Sequence, residues 1–292
     1  MSKAPAGAPA VLGHWGLSRP PFQDALAPDF FYPGGSYREA VQRLRYAVTG
    51  SDSPFAVLLG EPGMGKSLVQ EVLAAEMEDL HLPVIQVRCL SGAAGDPWGQ
   101  IAAAAGRELA SGLGRSIGRQ ARDLLAEVSS EWGHSPRILG DDAHRLSRAD
   151  LEEFQWLAEG PDGSGCQVVL AGSGELERLV AGEPAVRTRC LIHFRLQPLS
   201  VEETGEYLVH RLRTAGHGSG RVFEDVVVQV LHHFSRGLPR ILNRFSHLAL
   251  EIGSLLGAPR IGVEEIRRVL LDYYSQRIPL DPFTSGFDGF RT

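Results

Sequence analysis

Residues 60–67 read GEPGMGKS, and this glycine-rich stretch limits the folds open to the whole chain. It fits the pattern Gly-x4-Gly-Lys-Ser, in which backbone N–H groups of a loop and of the following helix surround phosphate groups. An apolar run, FAVLLG at 55–60, precedes the loop, and a stretch with helical spacing at 66–80 follows it. A phosphate-binding loop needs a strand before it and a helix after it. This context therefore favours a phosphate-binding loop rather than a chance glycine turn.

The use of lysine supports this interpretation. Of 29 basic residues, only Lys3 and Lys66 are lysines, and all the others are arginines. A lysine retained inside the loop indicates that a compact point charge is required there. We expect Lys66 to neutralise β and γ phosphate oxygens and the Ser67 hydroxyl to bind Mg²⁺. The predicted nucleotide-binding residues of the loop are Gly60, Glu61, Pro62, Gly63, Met64, Gly65, Lys66, Ser67 and Leu68.

Strand and helix patterns alternate along most of the chain. Short apolar runs predict strands at 55–60, 83–90, 137–142, 166–173 and 190–196. Helical spacing lies between them, so the fold class is α/β, with a parallel sheet covered by helices on both faces. The helix predicted at 36–48 begins with Ser36 and Glu39, which match a capping box.

The pattern becomes purely helical towards the C-terminus. We predict an extended lead segment at 1–35, a nucleotide-binding αβα domain at 36–198, a small all-helical domain at 199–272 and a tail at 273–292. Aromatic side chains are expected to attach the lead segment to the core, because tails without structure seldom carry so many. These side chains are Trp15, Phe22, Phe30 and Phe31.

An acidic pair follows the third predicted strand. Asp141 at the carboxyl end of a strand is suited to hold Mg²⁺. Asp142 stands where a glutamate is expected to orient the attacking water, and its carboxylate is about 1.5 Å nearer the backbone. Since a misplacement of about 1 Å can cost ~10²-fold in rate, Asp142 either works slowly or is not catalytic. The alternative is that the pair forms a solvated helix cap.

Two further side chains are candidates for a hydrolytic site. Ser173 follows the strand next to the one that ends at Asp141, and its hydroxyl could touch a γ-phosphate; a simple turn serine is the alternative. Arg240 in RGLPRILN begins a helix after a Gly-x-Pro turn and could reach the same phosphate; an ordinary surface arginine is the alternative.

Composition excludes several classes of protein. The net charge of −6 argues against nonspecific nucleic-acid binding. Apolar runs are too short for a membrane span or a secretory signal, so we expect no membrane span. The cysteines, Cys89, Cys166 and Cys190, match no metal motif, which favours a reducing cytoplasm.

The ordered motifs resemble AAA+ ATPases of the ExeA/GspA (general secretion pathway protein A) type over about residues 12–270. They include HWGLSRPPF, FFYPGGSYREAVQRLRYAV, GEPGMGKS, DDAHRL, LAGSGELERL and SRGLPRILNRFSHLAL. The resemblance implies an αβα core followed by a helical lid, ATP and Mg²⁺ as ligands, and a homo-oligomer with nucleotide bound between subunits. The related TniB-type transposition ATPases share this core.

The resemblance also implies roles for single residues. It places sensor 1 near Ser173, sensor 2 at Arg240 and an adenine-flanking helix around Tyr37. An arginine finger, donated to a neighbour's γ-phosphate, would be Arg189, with Arg187 as second choice; both could instead be solvated arginines at a strand edge. GSGEL replaces the common Gly-Gln-Pro-Glu-Leu, and Asp142 replaces the usual glutamate.

Two main functions remain open from the sequence. The first is an oligomeric Mg²⁺-dependent ATPase that remodels or recruits an unidentified protein partner. The second is an ATP-gated assembly or DNA-binding regulator with slow or no hydrolysis, and an inactive scaffold is a third possibility that the intact loop disfavours. DNA would need a local basic surface, and the candidates are Arg211, Arg213 and Arg221, or Arg115, Arg119 and Arg122. The absence of a guanine-reading Asn-Lys-x-Asp motif favours ATP over GTP.

Overall fold

The computed structural model describes residues 8–50, 55–90, 96–109, 117–159 and 165–275. The strands are β1 Phe55–Leu59, β2 Val84–Arg88, β3 Arg137–Asp141, β4 Gln167–Gly172 and β5 Cys190–Arg195. The helices are α1 Ala8–Trp15, α2 Gly35–Thr49, α3 Lys66–Asp79, α4 Pro97–Ala104, α5 Ile117–Trp132, α6 Arg148–Glu159, α7 Gly174–Ala181, α8 Pro184–Arg189, α9 Val201–Thr214, α10 Asp225–Ser235, α11 Pro239–Leu256 and α12 Val263–Ser275. Short 3-10 helices span Pro28–Phe30 and Ala143–Arg145.

The five strands form one parallel sheet in the order β2-β3-β4-β1-β5. The chain therefore runs from β1 to the far edge of the sheet, returns through β3 and β4, and then places β5 on the other side of β1. The carboxyl ends of all strands lie at one edge, where a parallel sheet of this kind binds ligands near its reversal of strand order. The predicted α/β phosphate-loop fold is confirmed.

Burial explains why the central strands are readable from sequence. All five side chains of β1 are buried, and β4 is buried from Val168 onward. Strands covered on both faces are continuous apolar runs rather than alternating ones. Their side chains pack with residues of β2, β3 and the flanking helices in one cluster that includes Phe55, Ile138 and Phe154.

The chain divides into two compact units. The αβ unit contains Ala25–Leu199 with Leu238–Arg240. The helical unit contains the described residues before Ala25 and those after Leu199, apart from Leu238–Arg240. Within the helical unit, the Trp15 indole N–H donates to the Leu250 carbonyl over 2.9 Å. Within the lead segment that the sequence predicts to be extended, Ala8–Trp15 instead form the helix α1. The tail at 273–292 lies mostly outside the described residues.

The predicted capping box of α2, formed by Ser36 and Glu39, is wrong. The Ser36 hydroxyl does not cap α2; it donates to the Gln197 carbonyl over 3.3 Å and accepts from the Gln197 N–H over 3.0 Å. Gly34 occupies the N-cap of α2 without a side-chain cap. A capping box is instead present at α9, between Ser200 and Glu203, where both reciprocal bonds form.

The suggested basic surface is also incomplete. Arg211 is buried in the helical unit, and its guanidinium donates to the carbonyls of Pro21 and Gln23 over 2.6 and 2.8 Å. It therefore supports the N-terminal segment instead of facing solvent. Arg115 lies outside the described residues. Within the described ranges, every helix is too short or too polar to cross a bilayer.

Candidate functional site

The glycine loop between β1 and α3 adopts conformations that only glycine takes readily. Gly63 and Gly65 both have a φ of 87°, and Gly65 is the left-handed N-cap of α3. A Cβ on Gly63 would also lie 2.9 Å from the Cβ of Arg240, closer than two carbons pack. Gly65 is therefore needed for its left-handed backbone, and Gly63 is needed both for its backbone conformation and for the close approach of Arg240.

Lys66 begins α3 and turns its ammonium group back over the loop. Its Nζ donates to the carbonyls of Gly60 and Glu61 over 2.9 and 3.1 Å. Burial lowers the pKa of Lys66, whereas the charges of Asp141 and Asp142 raise it and that of Arg240 lowers it. The loop lysine, the acidic pair and Arg240 are thus close enough to interact electrostatically, so the structure brings these four predicted residues together.

Ser67 and Asp141 meet directly. The Ser67 hydroxyl donates to Oδ2 of Asp141, while the backbone N–H of Asp142 donates to Oδ1 over 2.8 Å. A hydroxyl and a carboxylate are hard oxygen ligands, and Mg²⁺ keeps several waters, so it needs few protein ligands. The pair therefore fits a Mg²⁺ ion bound together with nucleotide phosphates.

Asp142 has an unusual backbone for a non-glycine residue. Its φ and ψ are 54° and 28°, in the left-handed region, and it precedes the 3-10 helix Ala143–Arg145. Aspartate is one of the few residues that tolerate this region, and such conformations concentrate at functional sites. The conformation turns the chain directly after β3.

Ser173 and Tyr37 flank the loop region from other elements. Ser173 follows β4, which lies between β1 and β3, and is almost completely buried. Its hydroxyl donates to the Glu175 carboxylate, and this bond lowers the pKa of Glu175. Tyr37 on α2 is buried against the loop, because a Cβ on Gly65 would lie 3.7 Å from its ring.

The candidate arginines occupy different positions. The backbone N–H of Arg240 donates to the Gly63 carbonyl over 3.2 Å, which places Arg240 against the loop. Arg189 lies in the last turn of α8 rather than at a strand edge, and its guanidinium pairs with Glu159 on α6. Arg187, the second candidate for a finger, is exposed on the same short helix.

A cavity of about 300 Å³ adjoins the Ser67–Asp141 pair. Its lining comes from α3, β2, β3, α4 and the segment before the 3-10 helix Pro28–Phe30: Leu26, Ser67, Gln70, Glu71, Gln86, Val87, Arg88, Gln100, Leu139 and Asp141. Sequence reasoning missed Gln70, because a glutamine within an amphipathic helix is typical of a solvent-facing position. Its spacing of three residues from Ser67, which puts both on one helix face, was the available signal.

Comparison with known proteins agrees with the α/β phosphate-loop fold. The AAA domain family matches residues 49–180. General secretion pathway protein A of Aeromonas hydrophila is 30% identical over 262 residues, which cover 85% of this chain and 45% of that protein. The chain thus spans about half the length of this curated relative.

Solved structures share the fold. Cdc6p from Pyrobaculum aerophilum aligns with a TM-score of 0.65 at 17% identity, over 86% of this chain and 70% of that one. The Aeropyrum pernix ORC2 protein, solved as ADPNP–ADP complexes, aligns at 0.65 and 16% identity over 91% and 74%. The Aeropyrum pernix ORC1 protein in complex with DNA aligns at 0.61 and 19% identity over 89% and 69%. The matched AAA domain and the similarity to general secretion pathway protein A agree with the fold and the loop, so residues 49–180 of this chain form an AAA domain.

Proposed function

We propose that this chain is a Mg²⁺-dependent ATPase that acts as a homo-oligomer and uses ATP binding and hydrolysis to remodel or recruit a protein partner. The observation that carries the proposal is the contact between the Ser67 hydroxyl and the Asp141 carboxylate beside Lys66. A phosphate loop alone supports nucleotide binding, but a loop serine that meets an acidic strand end also supports metal-dependent chemistry. The similarity to general secretion pathway protein A supports a protein partner.

ATP would bind through its phosphates at the N-terminus of α3. Backbone N–H groups of the loop point towards anions there, and the helix dipole favours negative charge. The Lys66 ammonium, now on the carbonyls of Gly60 and Glu61, has the reach to exchange them for β and γ oxygens. Tyr37, packed against Gly65, would flank the adenine.

Mg²⁺, held by Ser67 and Asp141, would neutralise charge on the phosphate oxygens when bound. Asp142 would orient the attacking water and accept its proton, from a carboxylate one methylene shorter than that of glutamate. Ser173 and Arg240 would contact the γ-phosphate from the end of β4 and from beside Gly63. The remaining positive charge would come from Arg189 of a neighbouring copy, which explains why an oligomer is needed.

The three cysteines are free thiols buried in the αβ unit. Their state supports a reducing compartment, and we place the activity in the cytoplasm.

The decisive experiment measures ATP turnover per subunit across rising protein concentration, with Lys66→Ala as the blank. An enzyme completed by a neighbour's arginine gives turnover that rises with concentration and then reaches a plateau. A constant turnover per subunit would refute the shared site. Lack of turnover by an assembled protein that binds ATP would refute the ATPase.

A second function is favoured by Asp142. With an aspartate in place of glutamate, ATP would gate assembly or DNA binding and hydrolysis would be slow or absent. The fold shared with an ORC1 protein solved in complex with DNA makes DNA a reasonable partner to test. Binding of duplex DNA by the ATP-loaded protein at low salt, where phosphate contacts are strongest, would support this function. If no DNA binds under those conditions, that version is refuted.

A further inference from the structure

Gln70 is a buried polar residue that none of the roles described above explains. It lies on α3, three residues after Ser67, and is only 4% exposed. A leucine or methionine would fill such a position in a helix that packs on a sheet, so a buried amide needs a reason.

The Gln70 amide joins α3 to the two strands beneath it. Its Nε2 donates to the Gly140 carbonyl on β3 over 3.2 Å and, more weakly, to the Val169 carbonyl on β4 over 3.5 Å. One NH₂ group has two donors, so both bonds can form at once. The helix that carries Ser67 is thus tied to the strand that carries Asp141.

Gly140 is the residue directly before Asp141, and the side chains around it leave no room for a larger residue. A Cβ on Gly140 would lie 2.7 Å from Cδ2 of Leu170. With its carbonyl held by Gln70, the peptide that leads into Asp141 is fixed in orientation. Hydrogen bonds from two side chains of α3 therefore reach the end of β3. Ser67 donates to the Asp141 carboxylate, and Gln70 donates to the Gly140 carbonyl directly before it.

Gln70 also lines the cavity beside this pair, together with Ser67 and Asp141. Without the Gln70 donor, the carbonyl of Gly140 could find only a cavity water as its additional partner. The end of β3 would then shift more easily relative to Ser67. The packing of α3 on the sheet would remain.

We propose that Gln70 is a positioning residue that keeps Asp141 opposite Ser67 and thereby sets the affinity of the site for Mg²⁺ bound with ATP. This inference rests on the proposed function, because it concerns the metal that the ATPase would use. Partners that orient metal ligands typically contribute about 10–100-fold to metal affinity.

The test substitutes Gln70→Met, which keeps length and volume but removes the donor. Gln155→Met is the matched control, because Gln155 is equally buried and its amide donates to Glu159 within α6, away from the loop. The dissociation constant for ATP is measured on the full chain in excess Mg²⁺ and in EDTA, and thermal unfolding is measured in parallel. Gln70→Asn is a second variant, which keeps the amide but withdraws it by about 1.5 Å.

For Gln70→Met and Gln70→Asn we expect ATP affinity in Mg²⁺ to fall about tenfold, and affinity in EDTA, which depends on the loop and Lys66, to stay unchanged. Gln155→Met should lower thermal stability comparably and leave both affinities unchanged. Equal loss of affinity with and without Mg²⁺, or loss of stability alone, would overturn the inference and leave the ATPase proposal intact. Wild-type protein that binds ATP identically in Mg²⁺ and in EDTA would refute both.

Discussion

The carboxyl ends of β1 and β3 differ sharply from the segment that runs through α7 and α8. In the first region, Lys66, Ser67 and Asp141 contact one another or the loop, and glycines with positive φ shape the backbone around them. In the second region, Ser173 and Arg189 contact carboxylates of their own chain, Glu175 and Glu159. The side chains proposed to bind phosphate and Mg²⁺ therefore already lie together within one chain, whereas the groups proposed to complete hydrolysis must first exchange their partners.

Breaking the contact between Arg189 and Glu159 requires little free energy. Glu159 and Arg189 are 38% and 49% exposed at their side chains, and an ion pair so exposed contributes only about 0–1 kcal/mol. A γ-phosphate is a stronger partner for a guanidinium, because the planar fork binds it through two hydrogen bonds. The contacts in the second region therefore do not oppose a role in catalysis.

The largest effect is expected from Arg189, the proposed arginine finger. Arg189→Ala should lower turnover about 10³-fold while ATP affinity is retained, because a finger stabilises charge only in the transition state. Arg187→Ala is the matched control on the same helix and should turn over like the wild type. Steady-state turnover and ATP binding are measured at a concentration where assembly is complete.

Mixing variants sharpens this prediction. Arg189→Ala keeps an intact loop, and Lys66→Ala keeps an intact finger, so an equimolar mixture should recover turnover that neither variant has alone. If the mixture stays inactive although the subunits co-assemble, the arginine does not act across an interface. If Arg187→Ala fails instead and its mixture with Lys66→Ala recovers, the finger is Arg187.

The loop lysine should give the next largest effect. Lys66→Ala loses charged hydrogen bonds to phosphate worth about 3 kcal/mol, which corresponds to about 100-fold in ATP affinity. Lys66→Arg should fail as well, because a planar guanidinium does not replace a compact ammonium inside the loop. Isothermal titration with ATP checks both variants, and unchanged thermal unfolding confirms that they fold. Normal affinity in Lys66→Arg would show that any cation suffices.

The first region was largely predictable from sequence, and the reasons are physical. Strand β1 is a fully buried apolar run, and the glycines, Lys66 and Ser67 follow it within eight residues, so local spacing contains the information. The junction of Asp141 with Ser67 followed from the rule that parallel strands end at a common edge. Gln70 was missed because its function depends on two carbonyls that are distant in sequence.

The second region was much less predictable. The helices α7 and α8 between β4 and β5 were not predicted, since each is short and their sequences lack a long periodic pattern. Glycine and proline around helix α1 predict an extended segment, but Trp15 at its end is buried in the helical unit. In both cases tertiary contacts outweigh local propensity, which a single sequence does not show.

Asp142 directly follows β3, and we expect the length of its side chain to set the rate of hydrolysis. Asp142→Asn should abolish most turnover without changing the backbone, because asparagine also tolerates the left-handed region. Asp142→Glu should raise turnover about tenfold by restoring the reach of the carboxylate. Glutamate adopts this positive φ less readily than aspartate, so Asp142→Glu should lose up to about 1 kcal/mol of folding free energy.

Turnover and chemical denaturation of both Asp142 variants check this prediction. Turnover by Asp142→Asn equal to that of wild type would exclude Asp142 as the group that activates water. A slower Asp142→Glu would show that the site has adapted to the shorter side chain.

The smallest effect compares the two regions through one thiol in each. The pKa of Cys89, whose N–H donates to the Asp141 carbonyl, is raised to about 12 by burial first and by Asp141 next. Burial also raises the pKa of Cys190, directly after α8, to about 12. Unfolding returns each thiol to its ordinary pKa of 9.0, so between pH 9 and 12 the folded protein binds more protons than the unfolded one, and stability falls as the pH rises.

Each thiol should contribute about 1.4 kcal/mol per pH unit to that fall. Urea denaturation between pH 8 and 10.5 measures the free energy of unfolding of the wild type, Cys89→Ala and Cys190→Ala. The quantity compared is the slope of this free energy against pH, not its absolute value. If the second region is as closed as the first, both variants reduce the slope equally. A smaller reduction for Cys190→Ala would show that water reaches the end of α8. This segment would then open more readily than the end of β3 at Asp141, and the release of Arg189 from Glu159 would require less free energy.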